Sequence, residues 1–156
     1  MFCVEQECLE QQFLRRYEEG NLTRDENKQT HFSVYFLPFN PESKEVFFVH
    51  HKKAGIWISP GGHIDKGETL LETLNREIRE ELGVHNHFAE LEHPLHLSIT
   101  PIDNLPVQAC TAHYDLWYLM KTSGQDFAVD SAEFHETKWV SVPEAKALTS
   151  DFNTRK

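Results

Sequence analysis

The amino-acid sequence predicts an α+β fold built as one layered domain. Three observations carry that prediction. A single strongly amphipathic helix lies in the middle of the chain. Short segments rich in β-branched and aromatic residues stand on both sides of it. The length of 156 residues suits one hydrophobic core. Phe occurs 11 times, so aromatic side chains are expected to dominate that core.

The elements follow in order. Residues 1–19 read as a helix, with Val4, Cys8, Leu9, Phe13 and Tyr17 near helical spacing. Gly20-Asn21 ends it, and polar residues 23–30 form a linker, so residues 1–27 are read as an N-terminal extension and 28–156 as the main domain. The extension is expected to pack on the domain flank or on a second copy of the chain, as in a homodimer. Strands are expected at 31–39, 45–51 and 56–59, with Asn40-Pro41-Glu42-Ser43 as the turn between the first two. Pro60-Gly61-Gly62 breaks the third strand and leads into a helix over 69–82, closed by Gly83. Further strands are expected at 95–100, 109–121 and 137–141, and a last helix near Pro143.

Composition excludes several classes. The formal net charge is −10, opposite to a protein that binds nucleic acid by neutralising phosphates. An acidic protein can still take an anionic substrate if divalent cations stand between its carboxylates and the phosphates. No apolar run approaches the roughly 18 residues of a membrane span, so no membrane partner is expected. Glu5, Glu7 and Glu10 stand where a signal peptide carries positive charge, and Cys3, Cys8 and Cys110 form no CxxC pair. The expectation is a cytoplasmic chain with reduced thiols.

The chemistry is concentrated in residues 62–84, GHIDKGETLLETLNREIREELGV. At ~100° per residue, Leu71, Leu74, Ile78 and Leu82 form one stripe that faces the core. Glu77, Glu80 and Glu81 form a second stripe about 100° away. Three carboxylates on one turn repel each other, so stability alone does not select them. A solvated face with Glu72–Arg76 and Arg76–Glu80 pairs is the bland alternative, worth a few tenths of a kcal/mol per pair. Mg²⁺ favours such oxygen ligands together with substrate phosphates.

This segment resembles the Nudix box, G-x5-E-x7-R-E-U-x-E-E-x-G-U, where U is a bulky aliphatic residue. Gly62, Glu68, Arg76, Glu77, Ile78, Glu80, Glu81, Gly83 and Val84 fill every specified position. A chance match in such a chain is on the order of 10⁻⁷ from average residue frequencies. The resemblance implies a Nudix-type α/β/α sandwich with a mixed sheet. It also implies hydrolysis of a phosphoanhydride bond in a nucleoside diphosphate linked to another moiety. Mg²⁺ is the implied cofactor, with Mn²⁺ as a substitute. Glu77, Glu80, Glu81 and the Gly61 carbonyl would line the metal site, with Glu68 and Gly62 behind them and Arg76 orienting a glutamate. Glu77 and Glu133 are the candidate general bases.

Weaker features complete the reading. Lys52, in the run His50-His51-Lys52-Lys53, is a candidate phosphate contact, with a solvated strand end as the alternative. Alternation over 109–121 places Cys110, Ala112, Tyr114, Leu116, Tyr118 and Met120 on one face. Thr111, His113, Asp115 and Trp117 share the other, where His113 and Trp117 are candidate substrate contacts. Ten histidines invite a zinc hypothesis, but His85/His87 and His93/His96 lack further ligands at suitable spacing, so no dedicated zinc site is expected. No SQPWPFPxS-like element marks an NADH substrate, and Thr100-Pro101-Ile102 stands where a tyrosine would mark dinucleoside polyphosphates. Rival classes on the same fold are an isopentenyl-diphosphate-isomerase-like enzyme, for which Cys110 is the available thiol, and a non-catalytic nucleotide-binding module.

Overall fold

A computed structural model describes residues 3–102 and 109–149, with side chains considered from residue 8 onward. Strands β1 (Thr30–Asn40), β2 (Glu45–His51), β3 (Ile56–Ile58) and β4 (Gly61–His63) precede the central helix, and β5 (His96–Pro101), β6 (Ala112–Lys121) and β7 (Phe134–Ser141) follow it. Helices are α1 (Cys3–Glu18), α2 (Leu70–Leu82) and α3 (Val142–Leu148). The strands form one mixed sheet of order β3-β2-β1-β6-β5, with β4 paired to β1 and β7 paired to β2. β1 and β6 run parallel from Thr30↔Ala112 to Phe39↔Lys121, while the other pairs are antiparallel.

Side-chain alternation sorts the helices to opposite faces of this sheet. Leu74, Ile78 and Leu82 of α2 pack on Val34, Phe36, Phe47, Val49, Tyr118 and Met120. Each of these fully buried aliphatic side chains contributes about 1.5–3 kcal/mol. Val46, Phe48 and Val140 point the other way, against Ala145 of α3. The helices are punctuated as the sequence suggests. Thr69 caps α2 in a capping box with Glu72, Ser141 caps α3 with Glu144, and Gly83 closes α2 at φ 69°. Glu72 is therefore a capping acid and does not pair with Arg76.

Three expectations are corrected. Gly61-Gly62 does not simply lead into a helix: it begins β4, a short strand on β1, because glycines let the two backbones approach closely. Strand β6 starts at Ala112, so Cys110 lies before it, and its Sγ stands 3.9 Å from His31 Nε2. In α1 the inward face is Leu9, Phe13 and Arg16, whereas Cys8 and Tyr17 are exposed; the side chains of Cys3 and Val4 lie outside the described residues. Arg16 replaces Tyr17 because its guanidinium donates to the Gly20, Asn21 and Thr30 carbonyls and to Thr30 Oγ1.

Candidate active site

The carboxylates of α2 differ in environment although they share one turn. Glu77 is 9% exposed and Glu81 3%, while the Glu80 side chain is 52% exposed. All three lie in the C-terminal half of the helix, where the macrodipole disfavours negative charge. Burial pushes Glu81 well above the usual carboxylate range, and the charges of Glu77 and Glu133 raise it further. Burial also raises Glu77, against the opposing pull of Arg76. Glu81 accepts from the Gly61 N–H, yet its Oε2 is buried without a hydrogen-bond partner among the described residues. A buried, unpaired carboxylate oxygen among like charges is costly, and a divalent cation would remove that cost.

Arg76 organises the other acids. Its Nε and Nη2 donate to Glu68 at 2.7 and 2.9 Å, Nη1 to Glu77 at 2.7 Å and to Glu80 at 3.2 Å, and Nη2 to the His63 carbonyl at 2.9 Å. Glu68 also accepts from Thr73 Oγ1 and the Asp65 N–H, and Arg76 holds its carboxyl below the usual range. Arg76 thus ties β4, the loop before α2 and the helix acids together. A Cβ at Gly62 would collide with the Glu77 carboxylate, and one at Gly61 with the β1 backbone at Val34 and Tyr35. The absence of a side chain at Gly61 therefore serves strand packing.

Glu133 reaches this cluster from the far end of the chain. The β2–β7 pairing brings His51 opposite Phe134, and the Lys52 N–H donates to the Glu133 carbonyl. The same loop is pinned to α2 by the Asp130 N–H, which donates to the Glu81 carbonyl. Glu77, Glu80, Glu133, Gly61 and Gly62 all line one pocket of about 820 Å³. Lys52 also lines it, with its Nζ 2.6 Å from the Ser131 carbonyl.

The opposite wall comes from β1 and β6. Trp117 is 7% exposed, its indole N–H donates to Ser98 Oγ, and Tyr35 stacks on it at 4.4 Å. Tyr35 is the half-buried ring of this pair, a residue that the sequence reading missed because only its β1–β6 register opposite Trp117 brings it to the site. Asp115 is buried beneath, accepting from the hydroxyls of Ser33, Ser98 and Thr100. His113 meets His31 and His63 here, with ring centroids 4.7–4.8 Å apart. Burial is the main cause that lowers all three, His63 to about 3 and His113 to about 4, so their rings are neutral near pH 7. Cys110 is buried, and burial raises its thiol. It does not line the pocket, which counts against the thiol chemistry of the isomerase alternative.

Comparison with known proteins shows the family and the fold. The profile described as NUDIX domain matches residues 29–156. An RNA pyrophosphohydrolase of Erythrobacter litoralis is 31% identical over 117 residues, 67% of this chain and 70% of that protein. One from Shewanella baltica is 32% identical over 98 residues, and the chain spans only 55% of its length. Among solved structures, the Escherichia coli dihydroneopterin triphosphate pyrophosphohydrolase is similar with a TM-score of 0.68 at 20% identity, covering 80% of this chain and 89% of that one. The NUDIX domain of Shewanella oneidensis NrtR, complexed with ADP ribose, gives 0.62 at 20% identity, with 81% of each chain covered.

Proposed function

Given that this chain belongs to the Nudix hydrolase family, we propose that it cleaves a phosphoanhydride bond in a nucleoside diphosphate derivative with the help of Mg²⁺. The observation that carries this reading is the buried Glu81 Oε2, which lacks a hydrogen-bond partner among the described residues, on a carboxylate that feels the negative charges of Glu77, Glu133 and Glu80. Glu77, Glu80 and Glu81 would hold the cation, with the Gly61 carbonyl beside them. When bound, Mg²⁺ supplies charge neutralisation for the phosphate oxygens and activation of water. Mn²⁺ suits the same oxygen donors.

The remaining steps belong to the chain itself. Arg76 fixes the Glu68 and Glu77 carboxylates, so the acids keep their positions as charge builds on the substrate. Glu133 is the favoured general base. It is exposed at the pocket wall and forms no ion pair among the described residues, whereas Glu77 is held by Arg76. Lys52 can donate to a phosphate with the Nζ hydrogens not taken by Ser131. The Tyr35–Trp117 stack gives a flat apolar wall for a base, with His113 lining the same pocket.

A substrate panel tests this reading. Incubation with Mg²⁺ of ADP-ribose, nucleoside triphosphates, nucleotide sugars and a 5′-triphosphorylated RNA oligonucleotide, read by chromatography, is expected to show turnover of a small nucleotide. The RNA pyrophosphohydrolase relatives make the oligonucleotide the informative rival; preference for it would overturn the small-substrate reading and leave hydrolysis intact. Glu133→Gln is expected to lower kcat by roughly 10²–10⁴ without raising the Mg²⁺ needed for half-maximal rate. Unchanged kcat would return the base role to Glu77.

A further inference from the structure

At one end of the pocket, His63 and His113 in its lining and the buried His31 behind them bring together three imidazoles that the carboxylate site does not need. His31 comes from β1, His63 from β4 and His113 from β6, and one ligand nitrogen of each lies within 4.8 Å of the others. They are far apart in sequence, so the gathering is a product of β1 pairing with both β4 and β6.

The geometry is close to that of a metal shell. The Nε2 atoms of His63 and His113 stand 3.3 Å apart. Two nitrogens bound at about 2.0–2.1 Å to a tetrahedral zinc ion are separated by about 3.3–3.4 Å, so this edge already has the required length. His31 is 1% exposed, and its Nδ1 lies 3.1 Å from the Asn27 carbonyl oxygen. A carbonyl only accepts, so the hydrogen sits on Nδ1, and the Nε2 lone pair, whose contact is the weak one with the Cys110 thiol at 3.9 Å, can turn to a ligand. A backbone carbonyl that orients the far nitrogen is a recurring support for metal-binding histidines. Among the described residues, the His63 and His113 nitrogens face each other, and His31 Nε2 meets only the Cys110 thiol.

We propose that His31, His63 and His113 bind one Zn²⁺, separate from the carboxylate site, with its fourth position open to the pocket. Imidazole ligands suit zinc, whereas Mg²⁺ prefers the oxygen donors of α2, so the two sites differ in chemistry as well as position. Ser33 and Tyr35 follow His31 along β1, Asp115 follows His113 along β6, and all three line the pocket; the open position would take water or a donor atom of a bound nucleotide. Cys110 Sγ, 3.9 Å from His31 Nε2, borders the cluster without joining it.

The test uses the whole chain, stripped with a chelator and returned to excess Mg²⁺ so that oxygen sites are filled with the hard cation. Zn²⁺ is titrated calorimetrically, and Co²⁺ is followed by the visible absorption of tetrahedral coordination. One Zn²⁺ per chain is expected to bind. Both signals should be lost in His63→Asn and His31→Gln and kept in Glu81→Gln. Absence of Zn²⁺ uptake by folded wild type would overturn the proposal, and this measurement stands even if a histidine variant fails to fold. Uptake that survives His63→Asn and vanishes with Glu81→Gln would overturn it too, by moving the ion to the carboxylates. Because the readout is binding, either result is independent of whether the chain hydrolyses nucleotides.

Discussion

Glu81 is 3% exposed, feels the charges of Glu77, Glu133 and Glu80, and has one oxygen without a hydrogen-bond partner among the described residues. Because burial raises its folded-state pKa above that of an unfolded glutamate, the neutral form favours the fold. Its contribution to stability is fully present below the unfolded value of about 4.3 and is lost as pH rises through the raised folded value. Glu81→Gln removes the titration and keeps size and helix propensity. The metal-free variant should therefore have a higher Tm than metal-free wild type at pH 8, with the gap closing towards pH 4 in thermal melts. Its hydrolysis with Mg²⁺ should fall by roughly 10²–10⁴, equivalent to about 3–5 kcal/mol of transition-state stabilisation. A more stable and inactive variant would identify Glu81 as a group kept for function. Equal activity would reduce it to a buried charge of no consequence. Glu72→Gln is the fitting comparison, since glutamine can replace glutamate in the capping box around Thr69.

At the scale of elements, β4 and α2 meet through a glycine. A Cβ on Gly62 would enter the space of the Glu77 carboxylate, which Arg76 also holds. Gly62 has no positive φ, so alanine is tolerated by the backbone and the collision falls on the site. Gly62→Ala is therefore expected to cost activity at least tenfold, with a smaller change in Tm than Gly83→Ala. Gly83 sits at φ 69° with Ala128 close by, so alanine there should destabilise by about 1 kcal/mol. Kinetics and melting of the two variants check the distinction. The strand β4 that creates this contact was not legible in the sequence. Two glycines and a histidine carry no strand propensity, and β4 exists because the adjoining backbone of β1 pairs with it.

For the whole molecule, the cores under α2 and α3 on the two faces of the sheet are built from aliphatic and aromatic side chains, none of them a proposed metal ligand. Chelator is accordingly expected to abolish hydrolysis while leaving the far-UV circular dichroism unchanged. Saturating Mg²⁺ should raise Tm, since a ligand that binds the folded state stabilises it by RT ln(1 + [L]/Kd), about 2.7 kcal/mol at one hundred times Kd. Loss of secondary structure in chelator would instead make the metal a part of the fold.

How much of this was readable from sequence divides along the range of the interactions. The helix α2, its Thr69 and Gly83 ends, its Leu74-Ile78-Leu82 stripe and the acids beside it depend on local spacing and capping, so residues 62–84 alone determined them. The β1 and β2 segments were legible through their β-branched and aromatic residues, and β6 through alternation. What folding alone decided is which distant residues meet. Spacing placed Glu77, Glu80 and Glu81 on one face, but only packing made Glu77 and Glu81 buried and left Glu80 in solvent. Likewise the β2–β7 pairing carried Glu133 to the acids of α2, and the β4–β1–β6 register joined His31, His63 and His113. Such meetings depend on strand register across long sequence separations, which no local pattern of residues encodes.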